Sequence, residues 1–134
     1  MNAFIRTITS AEPSERNRSF EGLCEGLSAA ELLSVCDELD AFRRSTDNLY
    51  HRVRATLFLY GAHRFALMES PGIPRTGLIP QQAFEDLLAR RFGQAIDRLL
   101  RAQRTEGPNS ALSSALAESY TAMVSGVLIG IGPL

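Results

Sequence analysis

Two arginines lie among apolar residues in the segment of residues 46–68, and they are the first candidates for chemistry in this chain. On a helix with about 100° per residue, Arg64 projects into a stripe that contains Leu49 and Leu57, and Arg54 lies at the margin of that stripe. A guanidinium on an apolar face needs a carboxylate, a phosphate or water as its partner. The simpler explanation is an ion pair with a nearby acidic side chain. The alternative is a pocket that binds an anionic small molecule, phosphorylated or carboxylate-bearing, through both arginines.

A histidine and a loop add to this possible anion site. His63 is next to Arg64, and a neighbouring cation lowers the pKa of an imidazole, so His63 is the better candidate base of the two histidines. The simpler interpretation is a partly exposed helix residue. In the loop that follows, Arg75, Thr76 and Gly77 supply a guanidinium, a hydroxyl and a flexible amide, the components of a small anion-binding nest. The predicted ligand-binding residues are therefore Arg54, Arg64, Arg75, Thr76 and His63.

The sequence contains no complete catalytic or metal-binding set. It has no nucleophile elbow, no HExxH sequence, no paired carboxylates and no glycine-rich dinucleotide motif. Every basic residue is arginine, which leaves no lysine for a Schiff base or a P-loop. Cys24 and Cys36, with His51 and His63, lack the close ligand pairs of a zinc site. We therefore expect a protein without catalytic residues, metal or cofactor.

Composition excludes several protein classes. The chain has 134 residues, of which 45% are hydrophobic, and this suits one domain with a substantial core. Its 14 basic and 15 acidic residues give a net charge of −1, so nothing indicates nucleic-acid binding. The N-terminal sequence MNAFIRTITSAEPSER lacks the apolar run of a secretory signal, and we expect a cytoplasmic protein with reduced thiols.

Apolar residues that recur at three- and four-residue steps predict an all-α bundle of four main helices. Ser28 and Glu31 form a capping box at the start of the first helix. The third helix has a heptad-like apolar seam from Phe84 to Ala102, the spacing of a coiled coil. Asn109 or Ser110 is expected to cap the fourth. The predicted bounds are residues 28–44, 46–68, 80–104 and 110–127, with a short additional helix over residues 14–24.

The second predicted helix, residues 46–68, is apolar almost all round, and such a helix belongs at the centre of a bundle. Its main stripe should therefore face the core. That stripe consists of Leu49, Val53, Leu57, Tyr60 and Leu67.

Both ends of the chain are predicted to lie outside a single helical domain of residues 13–127. Residues 1–12 are mostly polar, which predicts a flexible arm. Residues 119–134 carry no charge, and they end in an apolar tail at residues 128–134. This tail could dock on the bundle or on a second copy, or lead into a further domain if the chain is a fragment. A membrane anchor is the third alternative, although the uncharged stretch is short for a bilayer span.

The sequence of residues 39–65, LDAFRRSTDNLYHRVRATLFLYGAHRF, resembles a helical segment near the start of large, poorly characterised bacterial multidomain proteins. Some of these proteins have a sugar-kinase-like or nucleotidyltransferase-like region further on. The resemblance covers about residues 28–105 and includes no catalytic motif. It implies a non-catalytic helical module beside an enzyme domain, and it implies no site residues.

Two functions remain open at this point. The first is an interaction or scaffold module that binds a protein partner or forms a homo-oligomer, through the seam of residues 84–102 or through the apolar tail. The second is an accessory domain that binds an anionic small molecule through Arg54, Arg64 and Arg75.

Overall fold

The computed structural model describes residues 2–128, and every regular element in that range is helical. The predicted all-α fold is therefore confirmed. Nine α-helices and one π turn follow one another in the described range: α1 (Ala3–Thr9), α2 (Pro13–Arg16), α3 (Phe20–Cys24), α4 (Ala29–Ser45), α5 (Leu49–Gly61), the π turn (Ala62–Ala66), α6 (Leu67–Glu69), α7 (Gln81–Leu88), α8 (Phe92–Glu106) and α9 (Ser110–Leu128).

Local capping sets the ends of the two long helices α4 and α9. The Ser28 hydroxyl accepts from the amide of Glu31 at 3.1 Å, and the Glu31 carboxylate accepts from the amide of Ser28 at 3.0 Å. At the start of α9, the Asn109 side chain accepts from the amide of Leu112 at 2.8 Å. Both predicted caps are confirmed, and the predicted bounds of these helices differ from the structure by one residue or so.

The predicted flexible arm is wrong, because residues 3–9 form α1 and pack into the core. Asn2 caps this helix by accepting from the amide of Ile5 at 2.8 Å. The ring of Phe4 is buried, with centroids 6.2 Å from Phe20 and 5.9 Å from Phe58, both edge to face. Ile8 is buried as well. The apolar residues of the N-terminal stretch thus belong to an aromatic cluster whose other members lie far along the chain.

The short helix predicted over residues 14–24 is two helices in the structure. The first, α2, ends at Arg16. Ser19 then starts α3, because its hydroxyl accepts from the amide of Gly22 at 3.0 Å. A local cap, which the apolar pattern does not show, interrupts the predicted helix.

The segment from Leu49 to Glu69 is one continuous helical run that packs against α1, α4 and α9. The predicted orientation of its main stripe is wrong, since Leu49 is 55% exposed and Leu57 is 44% exposed. The small residues Ala55 and Ala62 face the core on the other side. Small side chains allow neighbouring backbones to approach closely, and this side is the one that α4 and α9 cover.

The π turn explains why Leu67 is buried although Leu57, in the same predicted stripe, is exposed. The amide of Leu67 donates to the carbonyl of Ala62, five residues back, so this turn contains one residue more than an α-helical turn. The additional residue rotates the end of the helix relative to its beginning. Leu67 is consequently buried, although an unbroken α-helix would put it on the exposed side with Leu57.

The predicted helix of residues 80–104 is also two helices, α7 and α8, which meet at a corner. Arg90 has a φ of 60°, a left-handed conformation that ends α7. The buried Asp86 carboxylate accepts from Arg91 Nε at 2.9 Å and from Arg98 Nε at 2.8 Å, and these bonds hold the corner.

The corner divides the predicted seam. Phe84 and Leu88 are exposed on α7, whereas Leu99 and Ala102 on α8 are buried against the rest of the core. The prediction of a continuous seam over residues 84–102 is therefore wrong, and only its second half packs.

The apolar end of the chain is described as far as Leu128, the last residue of α9. Residues 129–134 of the predicted tail lie outside the described residues. Within the described range, no helix combines the length and the hydropathy that a membrane span requires.

Candidate functional site

A cluster of buried polar side chains joins α4 to α9. Asp40, on α4, accepts at Oδ1 from Arg43 Nη2 at 2.9 Å and from the Tyr120 hydroxyl at 2.9 Å. Its Oδ2 accepts from Arg44 Nε at 2.7 Å. Arg44 also donates to Asp97 on α8 at 2.7 Å, so Asp40 joins α4 to α9 directly, and Arg44 links α4 to α8 through a second carboxylate. We call Asp40, Arg43, Arg44 and Tyr120 the Asp40 cluster.

The two arginines of this cluster are balanced by two carboxylates, Asp40 inside it and Asp97 beside it. Burial raises the pKa of the Asp40 carboxyl, but the charge of Arg43 and the hydrogen bonds from Arg43, Tyr120 and Arg44 lower it to below its usual value. Burial and the neighbouring Asp40 carboxylate raise the pKa of the Tyr120 phenol well above its usual value. At neutral pH, Asp40 is therefore ionised and Tyr120 keeps its proton.

Next to this cluster, His63 is entirely buried in the π turn. Its ring stacks on that of Tyr120, with centroids 6.0 Å apart and planes 19° apart. Neither ring nitrogen has a hydrogen-bond partner among the described residues. Burial lowers the pKa of His63 to about 4, although the Asp40 charge opposes this change. The imidazole is consequently neutral, and its role is packing.

The Asp40 carboxylate is saturated rather than poised for a reaction, although Asp40 and Arg44 line a surface hollow of about 280 Å³. Both oxygens of the carboxylate are occupied by donors from the protein, and Asp40, Arg43 and Tyr120 are all buried. A catalytic acid or base needs a substrate within hydrogen-bond reach. The arrangement supports a structural role, in which the Asp40 carboxylate fixes how α4 meets α9, and the Arg44–Asp97 pair ties α4 to α8.

This cluster does not follow from the apolar pattern of α4, because Asp40 is not part of that pattern. A local signal was present: Arg43 and Arg44 follow Asp40 at the three- and four-residue spacing that allows contact on a helix. The third partner, Tyr120, is 80 residues away in sequence, and no local pattern indicates its position.

Arg54, one of the predicted anion ligands, already has partners. Its Nη1 donates to the carbonyl of Thr7 at 3.3 Å and to the carbonyl of Arg16 at 3.1 Å. Its guanidinium also lies 5.2 Å from the ring centroid of Phe58. Arg54 thus links the N-terminal helices to α5. The simpler explanation predicted an ion pair with a carboxylate, whereas the observed partners are backbone carbonyls.

The other predicted ligands lie apart from Arg54. Arg64 is exposed and stacks on Phe65, with its Cζ 5.7 Å from the ring centroid. Arg75 and Thr76 are exposed in the loop between α6 and α7. His63 is buried behind the exposed side of the π turn. No contact joins any two of Arg54, Arg64 and Arg75 in the described structure, and an anion site built from them stays a prediction.

The exposed side of α5 and the π turn is a surface of large apolar side chains. Leu49, Tyr50, Leu57 and Phe65 are all about half exposed, and Arg64 lies among them. The Phe65 ring also contacts Tyr60 edge to face at 6.0 Å. We call Leu49, Tyr50, Leu57, Arg64 and Phe65 the outer face. Single exposed apolar residues are ordinary, but several large ones on one side of a helical run favour an interaction surface.

Comparison of the chain with family models, with curated proteins and with solved structures found no match. The resemblance of residues 28–105 to a segment of bacterial multidomain proteins therefore stays a prediction. Among the described residues, no group of three or more histidines, cysteines or carboxylates is arranged to hold a metal ion.

Proposed function

We propose that this chain is a non-catalytic helical interaction module that associates with a second copy of itself through the outer face. The observation that carries the proposal is the exposure of Leu49, Tyr50, Leu57 and Phe65 on one side of a single helical run. Burying such side chains in an interface gains about 25 cal/mol for each Å² of apolar surface removed from water.

The spacing along the outer face favours a second copy as the occupant. Leu57 lies eight residues from both Leu49 and Phe65, and seven residues from both Tyr50 and Arg64. If two copies pack antiparallel about a two-fold axis at Leu57, Phe65 of each meets Leu49 of the other. The same axis brings Arg64 of each copy to Tyr50 of the other. The face is thus complementary to itself, as a two-fold interface requires.

Charge supports the antiparallel arrangement. Arg64 is the only charged member of the outer face, and its guanidinium already stacks on one aromatic ring. In the antiparallel pair it would gain a second ring from Tyr50, a favourable cation–π contact. The two Arg64 side chains would lie about 20 Å apart, which removes the repulsion that a parallel pair would have.

The test is sedimentation equilibrium of the wild type over a wide range of protein concentration. We expect a reversible dimer, and we expect Leu57→Glu to abolish it, because the two new carboxylates would meet at the two-fold axis. Tyr50→Glu should still dimerise, since the new carboxylate would lie beside Arg64 of the other copy.

Two controls use the same chemical change elsewhere. Leu78→Glu alters a side chain that is 90% exposed in the loop, and Leu88→Glu alters the exposed half of the predicted seam. Both should dimerise like the wild type. A wild type that stays monomeric up to about millimolar concentration would overturn the proposal. If Leu88→Glu alone dissociates the dimer, the interface is the α7 surface and the outer face is excluded.

A further inference from the structure

Adjoining the outer face, with which it shares Phe65, is a cavity of about 490 Å³ that opens between α3, the start of α4 and the end of α6. Its walls are largely apolar and include Phe20, Leu27, Leu32 and Phe65. The volume is in the range of sites that hold small organic molecules. The cavity is distinct from the Asp40 cluster, none of whose members line it.

The charged side chains at this cavity are all acidic. Glu21, Glu25 and Glu69 line it. None of the protein's 14 arginines is among the lining residues in the described part of the chain. All three carboxylates are exposed, and none of them forms an ion pair within the described range. Three carboxylates around an apolar hollow create a negative potential at its edge.

The backbone adds to this potential. The helical run that begins at Leu49 ends at Glu69, and Ser70 and Pro71, which follow it, also line the cavity. The C-terminal end of a helix carries a partial negative charge from its unpaired carbonyls. The N-terminal end of α4, which is also near, has its own carboxylate in the capping box of Ser28 and Glu31.

The thiol of Cys24 lies in the same wall and is a weak nucleophile at neutral pH. Burial, and secondarily the charge of Glu21, raises its pKa to about 11. The thiol therefore remains protonated and acts as a soft, uncharged part of the lining. The cavity offers apolar contact inside and negative charge at its edge, which suits binding rather than covalent chemistry.

We propose that this cavity binds a small organic cation, a protonated amine attached to an apolar ring or chain. The apolar body would lie against Phe20 and Leu32, and the ammonium group would remain near the carboxylates of Glu21, Glu25 and Glu69. An anionic ligand of the same shape is repelled by those charges, and a neutral ligand gains only the apolar contact.

Three probes with one apolar body test this directly: 4-phenylbutylamine, 4-phenylbutan-1-ol and 4-phenylbutyrate. Binding is followed by amide chemical shifts in ¹H–¹⁵N NMR spectra of the full chain, with the largest changes expected at Gly22 and Ser70, which adjoin the cavity. Each exposed carboxylate contributes modestly, so we expect the amine to bind about tenfold more tightly than the alcohol. The carboxylate should bind more weakly than both.

The variant that isolates the charges is the triple substitution Glu21→Gln, Glu25→Gln and Glu69→Gln. It should weaken the amine about tenfold and leave the alcohol unchanged, and unchanged alcohol binding also shows that the cavity is intact. The matched control is Glu118→Gln, which removes one exposed carboxylate from α9 and should change neither affinity. Added salt should weaken the amine alone.

Several outcomes would overturn the proposal. Equal affinity for amine and alcohol in the wild type would mean that the cavity selects apolar shape and not charge. An amine affinity that survives the triple substitution, or shift changes that map away from Gly22 and Ser70, would place the binding elsewhere. Failure of all three probes to bind would remove the site altogether.

Discussion

The buried imidazole of His63 makes the stability of this protein depend on pH in a predictable direction. The pKa of this group is about 6.5 in an unfolded chain and about 4 in the folded protein. Between these values the unfolded state binds a proton that the folded state does not. The free energy of unfolding therefore falls as the pH falls through this window. The stability that comes from burying a neutral His63 is fully present only above a pH of about 6.5.

The size of the effect follows from the two pKa values. Each pKa unit corresponds to about 1.4 kcal/mol, so the full window is worth about 3 kcal/mol. Between about pH 7 and about pH 5 the expected loss is about 2 kcal/mol. With the usual dependence on denaturant for a small domain, this lowers the urea midpoint by about 1 M. Asp40 and Asp86 have lowered pKa values, so their contributions are lost only in more acid solution.

The variant His63→Phe removes the titrating group and retains a ring that can stack on Tyr120. Urea unfolding followed by circular dichroism at several pH values should show a flat midpoint for this variant over the window in which the wild type declines. His51→Gln, which changes the other histidine, is the control and should decline like the wild type. A His63→Phe variant that loses stability as steeply as the wild type, or an NMR titration that gives His63 of the folded protein a pKa above about 6, would refute this pH dependence.

Three further perturbations test other parts of the structure. Tyr120→Phe removes a hydroxyl that donates to the buried Asp40 carboxylate, and urea unfolding should show a loss of about 1.5–3 kcal/mol; a loss below about 0.5 kcal/mol would mean that the arginines alone satisfy Asp40. Phe4→Ala should cost about 3–5 kcal/mol because the ring is in the core, and a much smaller loss would contradict the packing of α1. Ellman's reagent should modify the half-buried Cys24 before the buried Cys36, whose pKa burial raises even further; equal rates in the native protein would contradict this order.

The helices that could be predicted from the sequence are those whose ends are fixed locally. Ser28 and Glu31 cap each other within one turn, and Asn109 bonds an amide three residues on, so α4 and α9 follow from a few neighbouring residues. Helical periodicity alone also gives the all-α class, because it requires no knowledge of which elements meet.

The faces that the helices bury, and the points at which helices are interrupted, could not be predicted. They depend on distant residues or on small changes in the backbone. The burial of Phe4 needs Phe20 and Phe58, which only the folded chain brings near. The corner at Arg90 leaves the heptad spacing intact on both sides, so the pattern conceals it. The π turn rotates the residues after it away from the exposed stripe. The spacing of apolar residues in the sequence does not reveal this rotation.

The same limit applies to the candidate site. Periodicity identified Leu49 and Leu57 as one apolar stripe. Such a stripe packs against another surface, which can belong to the same chain or to a second chain. Burial in the fold and burial in an interface have the same sequence pattern. The structure places Leu49 and Leu57 at the surface, and a measurement of self-association tests whether an interface buries them.

The sharing of the Asp40 carboxylate by two arginines of its own helix and a tyrosine of α9 also constrains how this protein can diverge. Loss of Asp40 alone would leave Arg43 as an unpaired charge inside the protein, and loss of Arg43 alone would leave Asp40 short of its main counter-charge. Substitutions at these positions are therefore strongly non-additive, and a tolerated path must change them together. In distant relatives we expect positions 40, 43 and 120 to be kept as a set or exchanged as a set for apolar residues, with few mixed combinations surviving.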